Sequence, residues 1–272
     1  MTRFLGITRE PVFSPGKVED DRAILEMTAE RLRQLGHAVD VFSAADEVWP
    51  EPADGTMVFT MAQGARALRR LEQREARGVR VINRPKGILN CQRHRTVAAF
   101  ATSDIAFPDT VILATDGDAS LPAWVGDGGA WVKRGDVHAT ETDDVVFVRD
   151  AAAARDALQR FRDRGIRNTV VQRHVPGTVL KFYAVRGGFF HCVLPTDDVE
   201  ISADLLRRLD ALGRRAAAVL DVEAYGGDCV VGVKGGLTLI DLNDWPSYAS
   251  CRARAAGAIA AYLLAQTVAT ES

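Results

Sequence analysis

The sequence predicts an α/β first third built on a parallel sheet, followed by a small α+β unit and a last part dominated by antiparallel strands. Three observations carry this expectation. Short apolar runs alternate with amphipathic helical stretches up to residue 82, the alternation breaks at Pro85, and from residue 179 onward most apolar runs follow one another across turns. Strands alternating with helices imply parallel pairing, whereas strands joined by tight turns pair antiparallel.

The first unit reads β-α-β. Residues 4–8 are a short strand and residues 9–17 a Pro- and Gly-bearing loop. The spacing of Ile24, Met27, Ala29, Leu32 and Leu35 predicts a helix over 20–35 that stops at Gly36, with a strand over 38–42. A strand over 57–60, a helix over 65–77 and a strand over 79–82 continue the pattern. Ligands of such sheets lie beyond the carboxyl ends of the strands, which points to the loops after Thr8, Thr60 and Asn83.

Beyond Pro85, helices over 86–91 and 93–102 lead into an extended stretch over 109–113. Gly- and Asp-rich turns then frame a strand over 130–133. Strands over 145–148 and 169–174 flank a helix over 151–164. Strands over 179–186 and 189–194, a helix over 203–220, a hairpin over 228–243 and a final helix around the apolar run 255–265 complete the chain. The expected lobes are 1–90, 91–175 and 176–272.

A chain of 272 residues is long for one core. Its 34 basic and 36 acidic residues give a net charge of −2, without the footprint of a nucleic-acid or membrane-surface binder. A small anionic acceptor in a locally basic pocket is compatible with that balance. Cys91, Cys192, Cys229 and Cys251 form no C-x-x-C pair, which argues against zinc and for reduced thiols in the cytoplasm. No secretion signal is visible at the N-terminus, and the run 255–265 falls short of the ~20 residues of a bilayer span.

The stretch 226–244, Gly-Gly-Asp-Cys-Val-Val-Gly-Val-Lys-Gly-Gly-Leu-Thr-Leu-Ile-Asp-Leu-Asn-Asp, carries the strongest chemical signal. Two apolar runs meet at Gly235-Gly236, which suits a two-residue type I′ turn. That turn pairs Lys234 with Leu237 and sets Asp228 opposite Asn243, with Asp241 on the same face. Two carboxylates and an amide on one face suit Mg2+, which takes hard oxygens and shares its remaining positions with phosphate. The ordinary alternative is a solvent-facing hairpin edge.

Lys133 is one of only five lysines in an arginine-rich chain and sits within an apolar strand. The loop Arg134-Gly-Asp-Val-His138 follows it, an arrangement suited to clamping phosphate oxygens. Arg93, His94 and Arg95 add positive charge at a helix start. Arg9, Ser14, Lys17 and Gln63, in loops of the first lobe, are candidates for the acceptor.

Taken in order, these segments resemble the ATP-grasp superfamily over roughly the whole chain, most strongly from Pro85 to Arg252. The resemblance implies a substrate lobe over 1–90, a nucleotide lobe with a lid over 91–175 and a metal and catalytic lobe over 176–272. Residues 81–96 look like the entry into the nucleotide domain, with Arg93 standing where a lysine normally touches phosphate. Lys133 matches the second nucleotide lysine. Residues 170–177 (Val-Val-Gln-Arg-His-Val-Pro-Gly) look like the adenine hinge, which places Gln172, Arg173 and Val175 beside the base. Asp228, Asp241 and Asn243 match the metal-binding acid and the acid-x-Asn motif. The resemblance implies ATP, Mg2+ (with Mn2+ as a substitute), a pre-ATP-grasp lobe, a central lid and a C-terminal catalytic lobe, and it is compatible with a homodimer.

Two chemistries remain open. Relatives similar to glutathione synthetase and glutamate ligases phosphorylate a carboxylate and let an amine displace phosphate; they usually carry arginine where Lys181 stands. Inositol-phosphate kinases of the superfamily have a lysine there, a histidine in the phosphate loop as at His138, and an ending like residues 240–248. The ligase reading is preferred because ligases are the more numerous group. The kinase reading, and a non-catalytic nucleotide binder, stand as alternatives.

Overall fold

The computed structural model describes residues 2–117, 120–137, 141–194 and 201–268. The first sheet is built from β1 (Arg3–Thr8), β2 (Ala38–Ser43), β3 (Met57–Thr60) and β4 (Arg80–Ile82), with α1 (Val18–Gln34) and α2 (Ala65–Glu75) between them. Every pairing is parallel, in the order β2-β1-β3-β4. Strand alternation divides the apolar residues between two cores. Phe4, Met57, Phe59 and Ile82 pack with Ile24, Leu25 and Leu32 of α1. Leu5, Ile7, Val58 and Val81 pack with Leu68 and Leu71 of α2. Burial on both faces explains why these strands read as continuous apolar runs. Gly36, at φ +86°, ends α1 in the left-handed conformation that a helix stop needs. The chain leaves β1 toward β2 on one side and returns to β3 on the other, so a crevice opens at the carboxyl ends of β1 and β3.

After α3 (Pro85–Asn90) and α4 (Arg93–Phe100) comes a second sheet of β5 (Thr110–Ala114), β6 (Ala130–Arg134), β7 (Val145–Val148) and β8 (Asn168–Arg173). Its order is β5-β8-β6-β7, with antiparallel pairing throughout. The Asp150 side chain caps α5 (Ala151–Asp163) by accepting from the Ala153 N–H. Ala154, Ala157, Leu158 and Phe161 of that helix pack on Val132, Val148 and Val171.

The third sheet comprises β9 (Thr178–Val185), β10 (Phe189–Val193), β11 (Ala224–Val231) and β12 (Leu237–Asp244), in the antiparallel order β10-β9-β11-β12. α6 (Ala203–Leu220) covers one face, where Leu209, Leu212, Ala216 and Leu220 meet Leu180, Phe182, Leu239 and Leu242. The other face carries the polar residues considered below. The last helix, α7 (Arg252–Val268), counted with the third lobe from sequence, packs against both the third sheet, at Val185 and Ala224, and the first. Ala255, Ile259, Ala260 and Leu263 join the core of Phe4, Ile24 and Phe59, so the chain end closes back on the first sheet. Among the described residues no helix is long and apolar enough to cross a membrane, and the four cysteines are free.

The β11–β12 hairpin departs from the expected two-residue turn. The Gly235 N–H donates to the Gly232 carbonyl at 2.8 Å, the Gly232 N–H donates to the Gly236 carbonyl at 2.9 Å, and Gly235 sits at φ +74°. This is a turn followed by a left-handed residue, the three-residue hairpin solution. Lys234 therefore lies in the loop, and Leu237 pairs with Val231. Farther along, Cys229 pairs with Leu239 but Asp228 pairs with Asp241, so Ile240 is an extra residue, a β-bulge. Asn243 stands opposite Gly226 rather than Asp228.

Candidate active site

Three strands of the third sheet place one row of charged residues across its open face. Lys181 on β9 pairs with Asp228 on β11, and Asp228 pairs with Asp241 on β12. Direct partners in a ladder project to the same side, so the three side chains share that face. Tyr183, Gly226 and Asn243 form the next row. Gly226 has to be glycine here: a Cβ would lie 2.9 Å from both the Phe182 carbonyl oxygen and Pro246 Cγ.

The bulge secures this geometry. Continued regularly from Cys229–Leu239, the ladder would set Ile240 opposite Asp228 and turn Asp241 to the α6 face. The extra residue also reconciles Leu239 and Leu242, three apart in sequence yet both in the core beneath α6.

Burial and the facing Asp241 raise the pKa of Asp228, while the Lys181 ammonium, 3.0 Å away, opposes that rise. Burial pulls the Lys181 pKa down, but the Asp228 carboxylate outweighs it and the net shift is upward. Arg93, at the start of α4, reaches Asp241 at 3.1 Å and donates to the Arg134 carbonyl at 3.1 Å. The neighbouring His94 ring lies 2.7 Å from the Gly135 carbonyl, so α4 holds the loop that follows β6.

Lys133 faces the row from the second sheet and is only 7% exposed. Its Nζ donates to Gln172 Oε1, its diagonal neighbour on β8, at 2.7 Å and to the carbonyl of the bulged Ile240 at 3.4 Å. Burial lowers its pKa to about 8, a shift that Asp241 resists and Arg93 assists. The two sheets therefore clasp around a buried ammonium on one side and paired carboxylates on the other.

A cleft of about 770 Å³ opens over this row, and its wall includes Lys17, Arg93, Lys181, Asp228, Asp241 and Asn243. Glu141, Thr142 and Asp143 border it from the segment ahead of β7. That segment is anchored by Asp144, fully buried and bonded to Arg164 at 2.6 Å. His138 lies outside the described residues.

The donor set fits a hard divalent cation such as Mg2+. Asn243 Oδ1 is buried with no hydrogen-bond partner, an acceptor that a cation would satisfy. Among the described residues no three His, Cys, Asp or Glu side chains cluster in a metal-holding arrangement.

Of the four residues expected to meet the acceptor, Arg9, Ser14 and Lys17 line the cleft. Arg9 donates to Asp21 Oδ2 at 2.9 Å, to the Met61 carbonyl at 3.2 Å and to the Trp245 carbonyl at 2.8 Å. Ser14 Oγ donates to the same Asp21 oxygen at 2.7 Å. Both brace the β1–β3 crevice through these bonds and also form part of the cleft wall. Gln63 lies off the cleft wall and donates to Asp244 Oδ1 at 2.9 Å, while the N–H groups of Gln63 and Gly64 donate to Glu10. Lys17 alone of the four is exposed on the cleft.

At the end of β8, Arg173 bonds outward to Asp109 and Asp127. Its N–H donates to the Asp109 carbonyl and that of His174 to the Gly129 carbonyl. Sequence reasoning missed Tyr183, two residues beyond Lys181 and hence on its face. It also missed Asp244, whose acidic neighbour at Asp241 was the available signal.

No family model matches this sequence, and no curated protein matches it. Solved structures do. A D-alanine–D-alanine ligase from Bacillus anthracis complexed with ATP superposes with a TM-score of 0.75 at 13% identity, covering 99% of this chain and 97% of that one. A RimK-domain ATP-grasp protein from Sphaerobacter thermophilus gives 0.71 at 19% identity, covering 97% and 100%. The ATP-grasp ligase PsnB, complexed with a minimal precursor, gives 0.66 at 16% identity, covering 97% and 99%. The three sheets, their order along the chain and these superpositions over nearly full length establish that the chain has the ATP-grasp fold.

Proposed function

We propose that the cleft binds Mg-ATP and that the protein is a carboxylate–amine ligase acting on a small molecule or peptide. The observation that carries the reading is the row Lys181–Asp228–Asp241 facing buried Lys133, with Arg93 closing the remaining side. Asp228, Asp241 and Asn243 would hold the metal, which offsets phosphate charge when bound. Lys133 and Arg93 supply fixed positive charge toward the nucleotide phosphates, and Lys181 supplies it toward the transferring group. Such preorganised charges stabilise the negative charge carried through transfer. The Val175 N–H has no partner among the described residues, unlike its two predecessors, and is the hinge donor available to adenine.

In this chemistry an acceptor carboxylate oxygen attacks the γ-phosphorus and the bond to ADP breaks. An amine then attacks the acyl carbon and phosphate leaves. Lys17, exposed on the first-lobe wall, would meet an anionic acceptor. ADP release measured across acid and amine pairs tests the proposal: turnover requires both partners and yields an amide. Lys181, in a position where ligases usually carry arginine, favours a second reading, a kinase for a hydroxyl acceptor. ADP release with a hydroxylated acceptor alone, leaving a stable phosphoester, would support the kinase and contradict the ligase.

A further inference from the structure

A second cavity, of about 480 Å³, lies at the opposite end of the first sheet from the cleft, beside Met57 and Arg80 where β3 and β4 begin. Arg74, on the last turn of α2, lines it together with Arg77, Arg80 and Thr56. Arg74 is only 5% exposed, yet among the described residues no carboxylate lies within ion-pairing distance of it. Its Nη2 donates to the Pro50 carbonyl at 2.7 Å, and its guanidinium lies 5.3 Å from the centre of the Trp49 ring. Its Nη1 is buried without a partner, as is Thr56 Oγ1 on the same cavity. A buried guanidinium cannot shed its proton, so its charge calls for compensation. Glu51 and Asp54 also border the cavity. Glu51 is held by Arg77 at 3.1 Å in an exposed pair of the kind that contributes little and is easily exchanged.

We propose that this cavity is a binding site for a phosphate group of a small molecule, remote from the cleft. Three guanidinium groups and a buried hydroxyl offer donors to a multiply charged oxyanion, and guanidinium forks match phosphate geometry. Arg80 also bonds to Gln266 of α7, and Thr267 borders the cavity, so an occupant would touch both the first lobe and the final helix.

Inorganic phosphate is the probe, titrated by calorimetry and by thermal unfolding against chloride at equal ionic strength. Phosphate is expected to bind and to raise Tm by a few degrees well above its Kd. The double variant R77Q/R80Q changes two exposed side chains and is expected to fold normally by circular dichroism while binding about tenfold or more weakly. Arg74→Lys, which keeps the charge but loses the fork, is expected to weaken binding similarly. Lys181→Gln, in the catalytic cleft, should leave this binding unchanged. Phosphate binding that R77Q/R80Q leaves intact and Lys181→Gln abolishes would assign it to the cleft and overturn the proposal, as would no binding beyond the chloride control.

Discussion

Asp228 and Asp241 stand directly opposite each other across the β11–β12 ladder because Ile240 bulges out of it. The same irregularity presents the Ile240 carbonyl to Lys133 Nζ at 3.4 Å. One extra residue thus brings paired carboxylates to the cleft face and ties the opposing lysine to the strand that carries one of them. Bulges serve elsewhere to re-aim side chains next to active sites, and this one relates the second sheet to the third.

Lys133 holds a positive charge in a desolvated position, where burial already draws its pKa down to about 8. Lys133→Met is expected to weaken ATP binding by about tenfold or more, through loss of a charge-assisted contact to phosphate. The ligand-free protein should be at least as stable as the parent, because an ammonium costly to bury is gone. Calorimetry with ATP and thermal unfolding without it check the two halves. A clear fall in Tm would show that Lys133 serves chiefly to hold the two sheets together.

Arg9 and Lys17, in one loop of the cleft wall, differ in burial and in partners. The Arg9–Asp21 pair is 2.9 Å long, with side chains 10% and 6% exposed. Arg9→Ala leaves the buried Asp21 carboxylate without its cation and is expected to cost about 3 kcal/mol in denaturant unfolding. Lys17→Ala should leave stability unchanged within ~0.5 kcal/mol and raise the KM for the acceptor.

Glu223 sets a pH dependence unrelated to the cleft. Burial raises its pKa from 4.5 to about 7, with Arg186 opposing, Asp221 reinforcing, and Arg80 and Arg84 also opposing. Between those pH values the folded state keeps a proton that the unfolded chain has released. The unfolded state then binds fewer protons, and stability falls as pH rises through that window. The expected loss is on the order of 3 kcal/mol, and Glu223→Gln should flatten the profile. Urea unfolding on either side of the window measures it; identical slopes in parent and variant would contradict the assignment.

The parallel sheet was legible because its strands are apolar on both faces and its helices have 3.6-residue spacing. Lys133, Asp228, Asp241 and Asn243 were legible as a group by residue type; the structure sets the last three on one cleft wall and bonds Lys133 to the Ile240 carbonyl beside Asp241. Their register was not. The three-residue loop and the bulge each shift pairing, and only the spacing of Leu239 and Leu242, both buried beneath α6, hinted at the extra residue. Arg9 and Ser14 illustrate a different limit: their residue types did not reveal that both bond to Asp21, twelve residues or fewer away in sequence. That α7 would join the first sheet to the third was likewise hidden, since an apolar helix does not name the sheets it will cover.

The measurement that bears most directly on the proposed site is magnesium-dependent ADP release by Asp241→Asn, run beside circular dichroism of the same variant. The account predicts a native-like spectrum with turnover reduced by about a hundredfold or more, since a fixed charge at the reacting phosphates is lost. Near-normal turnover with normal magnesium dependence would contradict it.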